Sequence, residues 1–419
     1  MEPNSEEDKL FRPSYVASAE LPERTRLVNV EDIKTNLSDE FCSASSSSDT
    51  SRRSSLEPRG HIQVCLRIKP FTALERANGS QGCVSLEDST SIILKPPKSS
   101  LSRLSEKTAG QTMAKFTFSR VFGPEATQEE FFEGTMRQPV QDFLEGCNRL
   151  VFTYGVTNAG KTYTFQGTED DAGILPRTMD MLFKTIGGRL YYKMDLKPIR
   201  WRDYIKLTED QVREETALKN SLLHLTKEVG DYLRNDEYMR LEIAQYVENL
   251  SKGSEQSSGF SVDNFLKFSV WVSFFEIYNE CFYDLLAPMS NYKKKRTLRL
   301  AQDIEGYSYV KVNKIFYCLD LYYSLLVYMI SCSLSLLLKR LTKSLYHSIF
   351  TIKVLRIEDL EMPRVTRVNE LSLCDLAGSE RFTKTRNEGD RLKESGNINM
   401  SLLTLSKCVS ALKISQQSK

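Results

Sequence analysis

The 419-residue sequence predicts an α/β domain in which a β-sheet lies between helices. Three observations predict it. From about residue 60 onward, apolar strand-like runs alternate with helical patterns. Residues 155–162, GVTNAGKT, place a glycine-rich loop between an apolar strand and a helix-compatible stretch. Farther on, ELSLCDLAGSE at 370–380 ends an apolar run on a carboxylate, Asp375. The length permits two or three domains, or one large domain with insertions. Hydrophobic residues make up 40% and charged residues 27%, which is enough apolar surface for a core and excludes a wholly disordered or fibrous chain. Lys and Arg total 57 against 55 Asp and Glu, so the charge balance offers no general argument for nucleic-acid binding. With three histidines, His61, His224 and His347, a His-based triad or multi-His metal site is hard to build. Nine cysteines scattered from Cys42 to Cys408 without a C-x-x-C pair suit free thiols in a reducing compartment. The acidic start, MEPNSEEDKL, has no apolar core of a signal peptide.

Taken in order, residues 1–59 read as a disordered Ser-rich tail, because few large apolar residues are available to offset the entropy of ordering. Order is expected from about residue 60. HIQVCLRIKPF and KFTFSRVFGP (115–124) read as strands, the second stopped by Gly-Pro. TQEEFFEGTMRQPVQDFLEG reads as one helix, opened by Thr127 and closed by Gly146. RLVFTYG is a buried strand, and GILPRTMDMLFKTIGG is a helix. Residues 190–262 are dense in charge and read as a surface insertion of solvated helix or disorder. FSVWVSFFEIYNE (268–280) returns to strand, and Lys293–Arg296 reads as a solvated hairpin tip. HSIFTIKVLRIE (347–358) and ELSLCDLAGSE are strands, and ESGNINMSLLTLSKCVSALK is a long helix. Residues 314–345 are anomalous: no charge occurs from Leu321 to Leu338, a helix long enough to approach a bilayer core, yet its serines and tyrosines argue against a membrane span.

The chemistry concentrates in GVTNAGKT. Gly155, Val156, Thr157, Asn158, Ala159 and Gly160 can curl so that backbone N–H groups point at phosphate oxygens, and the following helix start adds partial positive charge. Lys161 would neutralise the β- and γ-phosphates, and the Thr162 hydroxyl would ligate Mg²⁺. The bland alternative, a glycine-rich turn with an incidental Lys-Thr, does not explain the strand placed before it. Asp375 fits a strand-end carboxylate that holds Mg²⁺ through water, and Gly378 fits a mobile glycine whose N–H senses the γ-phosphate. D-x-x-G alone is often just a turn; the upstream phosphate loop is what gives it weight.

These residues carry a family resemblance. GVTNAGKTYTFQGT, GILPRT, FEIYNE, DLAGSER and GNINMSLLTL occur in the order and spacing of the kinesin motor domain, over about residues 60–313 and 347–419. The stretch after GILPRT, the wording FTYGVTNAGKTYTFQGTE and RPSYV at 12–16 resemble the kinesin-6 class, in its M-phase phosphoprotein branch. The resemblance implies a P-loop NTPase of three layers whose central β-sheet is mixed. It implies ATP and Mg²⁺ as cofactors and microtubules (tubulin) as partner, with neither nucleic acid nor a membrane span. It places Arg67 and Pro70 beside the adenine, with Lys69 where a second Arg is usual, and stacks Tyr163 on the base. Ser344 would face Mg²⁺, Glu380 would help position the attacking water, and the helix holding Asn397–Leu405 would face tubulin.

Two departures accompany the resemblance. Where the family reads N-x-x-S-S-R-S-H, this chain has Lys343, Ser344, Leu345 and Tyr346 before His347. Leu345 stands where an arginine should pair with Glu380, and leucine cannot hydrogen-bond. A misjoined exon or retained intron over 314–345 is the simplest account. Secondly, the chain ends at Lys419 within the tubulin-facing helix, so a C-terminally truncated motor is expected, with dimerisation left to a stalk that it lacks. The expected function is a microtubule-stimulated ATP hydrolase that moves along microtubules in mitosis or cytokinesis. Its place would be cytoplasmic, on spindle or midzone microtubules, with an interphase nuclear location left open. A nucleotide-binding, non-hydrolysing microtubule-associated protein is the alternative, and a membrane-attached P-loop protein is a third reading that rests on 321–338 alone.

Overall fold

The computed structural model of the chain describes residues 62–95, 113–168, 170–200, 202–220, 266–278, 281–286, 297–303, 306, 308–311, 315–318, 346–379 and 390–417. The strands are β1 (Cys65–Arg67), β2 (Val84–Leu86), β3 (Ser91–Leu94), β4 (Ala114–Thr117), β5 (Arg120–Phe122), β6 (Arg149–Thr153), β7 (Leu196–Pro198) and β8 (Tyr204–Lys206). They continue with β9 (Leu266–Tyr278), β10 (Cys281–Asp284), β11 (Thr297–Gln302), β12 (Ser308–Lys311), β13 (Phe316–Cys318), β14 (His347–Glu358) and β15 (Arg364–Asp375). The helices are α1 (Ala73–Ala77), α2 (Gln128–Thr135), α3 (Arg137–Glu145), α4 (Lys161–Gln166), α5 (Ile174–Ile186) and α6 (Asp390–Gln417), and residues 209–220 are also helical. Contacts divide the chain into two units. Gln63–Lys407 holds every sheet; the other unit is Met1–Ile62 with Cys408–Lys419, whose described part is Ile62 and the last turns of α6.

The central sheet runs β12-β11-β10-β9-β14-β15-β6, with β13 also on β9. It is mixed: β15 and β6 pair parallel, and its other pairs are antiparallel. Its middle strands are apolar almost without a break because both faces are covered. On one face Val270, Val272 and Phe274 oppose Val354, Ile352 and Phe350, which continue to Leu371 and Leu373. The rings of Phe274 and Phe350 meet edge to face at 5.8 Å. Val140, Phe143, Leu175, Met179, Leu182 and Ile186 from α3 and α5 pack on this face. The opposite face carries Trp271, Tyr317, Leu355, Ile357 and Val368. The two-residue repeat of a strand thus sorts alternate residues of β9 into two separate cores.

The helix expected over 127–146 is two helices that part at Met136. Pro139 explains the break, because it has no N–H for the carbonyl of Thr135 yet sits comfortably in the first turn of α3. Thr127 does cap α2, in a capping box with Glu130, and Gly146 does end α3. The strand expected over 115–124 divides between β4, which pairs with β3, and β5, which pairs with β1. β15 begins at Arg364, six residues before the expected start, because its charged half still pairs with β14 through Arg364↔Glu358 and Arg367↔Arg356.

Two segments that read from sequence as a solvated surface insertion and an anomalous apolar stretch supply core residues where they are described. Within 190–262, β7 and β8 form a hairpin, and Tyr191 and Leu196 lie in the core beneath Trp271. Lys353 of β14 donates to the Arg200 carbonyl at 2.8 Å and pairs with Glu370 at 3.3 Å, so the hairpin is tied to the sheet by a buried cation. The charges that read as solvent-facing are partly internal: Lys197 pairs with Glu215 and lies 5.8 Å from the centroid of Trp271. The remainder of that stretch, 221–262, lies outside the described residues. Likewise the start of 314–345 belongs to the sheet. Phe316–Cys318 pair with Val270–Val272, and Ile315, Tyr317 and Cys318 are buried. Residues 319–345, like 1–59 and 293–296, lie outside the described residues. No helix among the described residues is long and apolar enough to cross a membrane.

Phe350→Ala should remove the ring that joins β9, β14 and the α5 layer, at a cost of about 3–5 kcal/mol. Chemical denaturation should show a lower midpoint with an unchanged slope; loss of under about 1 kcal/mol would mean that this face is not packed as described.

Candidate active site

The site is built where β6 and β15 end. Because they run parallel, both C-terminal ends open on the same edge of the sheet, and Asp375 sits opposite Thr153 in the register. β6 then turns into the loop 154–160, and α4 begins at Lys161. The loop takes left-handed backbone at Asn158 (φ 66°) and Gly160 (φ 92°), on either side of Ala159. Asn tolerates that region better than most residues, and glycine enters it without a Cβ penalty.

Asp375 is 7% exposed and uses both carboxylate oxygens. Thr153 Oγ1 donates to Oδ1 at 2.9 Å, and Thr162 Oγ1 donates to Oδ2 at 2.9 Å. One carboxylate thereby joins the end of β6, the end of β15 and the first turn of α4. Lys161 reaches back over the loop, and its ammonium donates to the carbonyls of Gly155 and Val156, each at 2.9 Å. Both of these acceptors are neutral backbone carbonyls. The segment after Asp375 is tied to the same loop, since Ser379 N–H donates to the Gly155 carbonyl at 3.1 Å. Gly378 is buried between these anchors.

His347, at the start of β14, accepts from Ala377 N–H through Nδ1 at 3.1 Å. Burial lowers its pKa, against the opposing pull of Asp375. Nδ1 as acceptor puts the proton of the neutral ring on Nε2, which is buried without a hydrogen-bond partner among the described residues. Next to Asp375, burial pushes the Cys374 thiol up to about 12, so it is an inert packing group at neutral pH.

Of the residues expected at the base, Arg67 and Tyr163 form a second cluster. The Arg67 guanidinium lies 5.0 Å from the Phe131 ring and 5.3 Å from the Tyr163 ring. It donates to Gln128 Oε1 (2.6 Å), Thr164 Oγ1 (3.1 Å) and the Ala126 carbonyl (3.1 Å). Tyr163 is half-exposed, and its hydroxyl donates to Asp171 at 3.2 Å. Pro70 is exposed, and its neighbour Lys69 pairs with Glu75 at 3.6 Å. Among the predicted residues, then, Gly155, Thr162 and Asp375 meet where β6 and β15 end, Lys161 folds over the same loop, and Arg67 meets Tyr163 of α4, while Ser344 and Glu380, with Leu345, lie outside the described residues. Sequence reasoning gave no role to Thr153, Gln128, Asp171 or His347. His347 was legible as the last residue of the N-x-x-S-S-R-S-H motif, and Thr153 as a polar residue at the end of an apolar strand.

The family model of the kinesin motor domain matches residues 67–419. The chain belongs to the kinesin motor domain family. Mouse KIF20B is 50% identical over the whole of this chain, which spans about a quarter (24%) of that protein. Mouse KIF20A is 40% identical over 90% of the chain and 46% of its own length. A solved kinesin 6 structure superposes with a TM-score of 0.57 at 26% identity, covering 85% of this chain and 84% of that one. These relatives agree with the kinesin-6 class that the motifs resemble. A KIF14 motor solved with ADP on a microtubule shares the fold, with a TM-score of 0.55 over 86% of this chain and 80% of its own, at 22% identity.

His347→Ala should leave the Ala377 N–H without its acceptor and cost about 1–3 kcal/mol. A thermal midpoint unchanged from the parent would show that the ring does not hold the 376–379 segment. Gly173→Ala should be worse tolerated, because its Cβ would stand 2.5 Å from the Gln166 carbonyl carbon and 2.6 Å from the Gly167 nitrogen, both backbone atoms that cannot swing aside. Soluble yield and thermal midpoint check it; wild-type values would mean that the two segments do not cross so closely.

Proposed function

We propose that this chain is the catalytic part of a microtubule motor. It binds ATP with Mg²⁺, hydrolyses it with stimulation by microtubules, and couples turnover to movement in mitosis or cytokinesis, on spindle or midzone microtubules. The observation that carries this reading is the junction of Thr153, Thr162 and Asp375 in a chain of the kinesin motor family. The Thr162 hydroxyl and the Asp375 carboxylate are hard oxygen donors 2.9 Å apart, the donor type that Mg²⁺ takes, so the residues present fit the ion. Mg²⁺ bound there would neutralise charge on the phosphates. The chain's own part is positioning and electrostatics. The 155–160 backbone cradles phosphate oxygens, Lys161 turns from its loop carbonyls to the β- and γ-phosphates, and Arg67, Pro70 and Tyr163 hold the base side. Gly378 senses the γ-phosphate, and Ser344 and Glu380 take the Mg²⁺-facing and water-positioning roles that the resemblance gives them. The domain starts near residue 60, and 190–262 is an insertion whose first part has become structural.

Leu345 favours a second reading. If Glu380 has no arginine partner, the chain binds nucleotide and microtubules without hydrolysing ATP. ATP turnover measured with and without polymerised tubulin separates the two. Stimulated turnover supports the motor; tight ATP binding with no turnover supports the second reading. Lys161→Ala should weaken ATP binding tenfold or more, since a lost charge-assisted contact costs about 1.5–3 kcal/mol. Unchanged affinity in that variant would reject the phosphate site, and with it both readings.

A further inference from the structure

We infer that Gln128 is a positioning residue for the base side of the nucleotide, an inference that rests on the function proposed above. Gln128 is the first residue of α2, yet its side chain is 1% exposed. A buried amide that uses both its ends is held by what it holds. Its Oε1 accepts from Arg67 Nη1 at 2.6 Å, and its Nε2 donates to the main-chain carbonyl of Tyr163 at 2.7 Å. The orientation of the amide is forced: a guanidinium only donates and a carbonyl only accepts, so a flipped amide would lose both bonds.

The Tyr163 carbonyl also accepts from Gly167 N–H at 2.8 Å, so both of its lone pairs are used and the second turn of α4 is fastened from two sides. Arg67 is fastened in the same way, by Gln128, Thr164 and the Ala126 carbonyl. Gln128 therefore sets both groups that form the base-side platform. It fixes the backbone from which the Tyr163 ring projects and the guanidinium that lies against that ring at 5.3 Å. These two hydrogen bonds reach neither the 155–160 loop nor Asp375. The prediction is selective: Gln128 governs the affinity that comes from the base and not that from the phosphates.

The test compares two ligands on the full 419-residue chain, Mg·ATP and Mg·tripolyphosphate, the second having no base. Gln128→Ala should raise the dissociation constant for Mg·ATP by about tenfold and that for Mg·tripolyphosphate by no more than about twofold. Tyr163→Ala should show the same selectivity, and the double variant should lose little beyond Tyr163→Ala alone, because both act through one platform. Gln128→Glu keeps the size of the side chain and an acceptor for Arg67 but sets an oxygen against the Tyr163 carbonyl. It should show the same ATP-selective loss, and it serves if Gln128→Ala folds poorly. Equal losses for both ligands, or none for ATP, would overturn the inference. Lys161→Ala should weaken both ligands; if it weakens neither, the parent reading fails, which is a different result from failure of the Gln128 variants alone.

Discussion

The site depends on the parallel pairing of β15 with β6. A parallel pair brings like ends together, so the strand that leads into the phosphate loop and the strand that ends in Asp375 finish side by side. Residues 222 positions apart can then share a hydrogen bond of 2.9 Å between Thr153 and Asp375. An antiparallel pairing here would have carried Asp375 to the far edge of the sheet, away from Thr162. The buried carboxylate is satisfied by two hydroxyls, and those hydroxyls lie on the two elements that border the loop. Loss of either would leave a half-partnered charge in a place with little water, which is costly.

That edge stays in register because the sheet behind it is covered on both faces. The α3 and α5 layer packs on the face of Phe274, Phe350 and Leu371, and the other face is closed in part by Tyr191, Met194 and Leu196. The hairpin of β7 and β8 is more than decoration on the domain. Its Leu196 lies with Trp271 in the second core, and the carbonyl of Arg200 takes the ammonium of Lys353. A lysine on a central strand is tolerable only with partners, and it has two, Glu370 and that carbonyl. The proposed motor activity would therefore be carried on a sheet whose buried lysine is partnered in part by the β7–β8 hairpin.

Sequence alone determined the α/β class, the glycine loop with its Lys161 and Thr162, the carboxylate at the end of the 370–375 run, and the caps at Thr127 and Gly146. Each is a local property: an apolar period, a residue with the right donor, a glycine where the backbone must turn left. The family likewise was legible, because its motifs are contiguous words. Tertiary structure alone decided what those words touch. Pro139 divides a helix that the periodicity reads as whole. Tyr317 and Leu196 are core because Trp271 meets them, and Lys197 is internal because Glu215 reaches it. Thr153 and Gln128 joined the site through partners 222 and 35 residues away, and no pattern along the chain encodes such distances. The physical reason is that propensity and periodicity act over a turn or a strand, whereas a buried polar group is defined by whichever distant atom satisfies it.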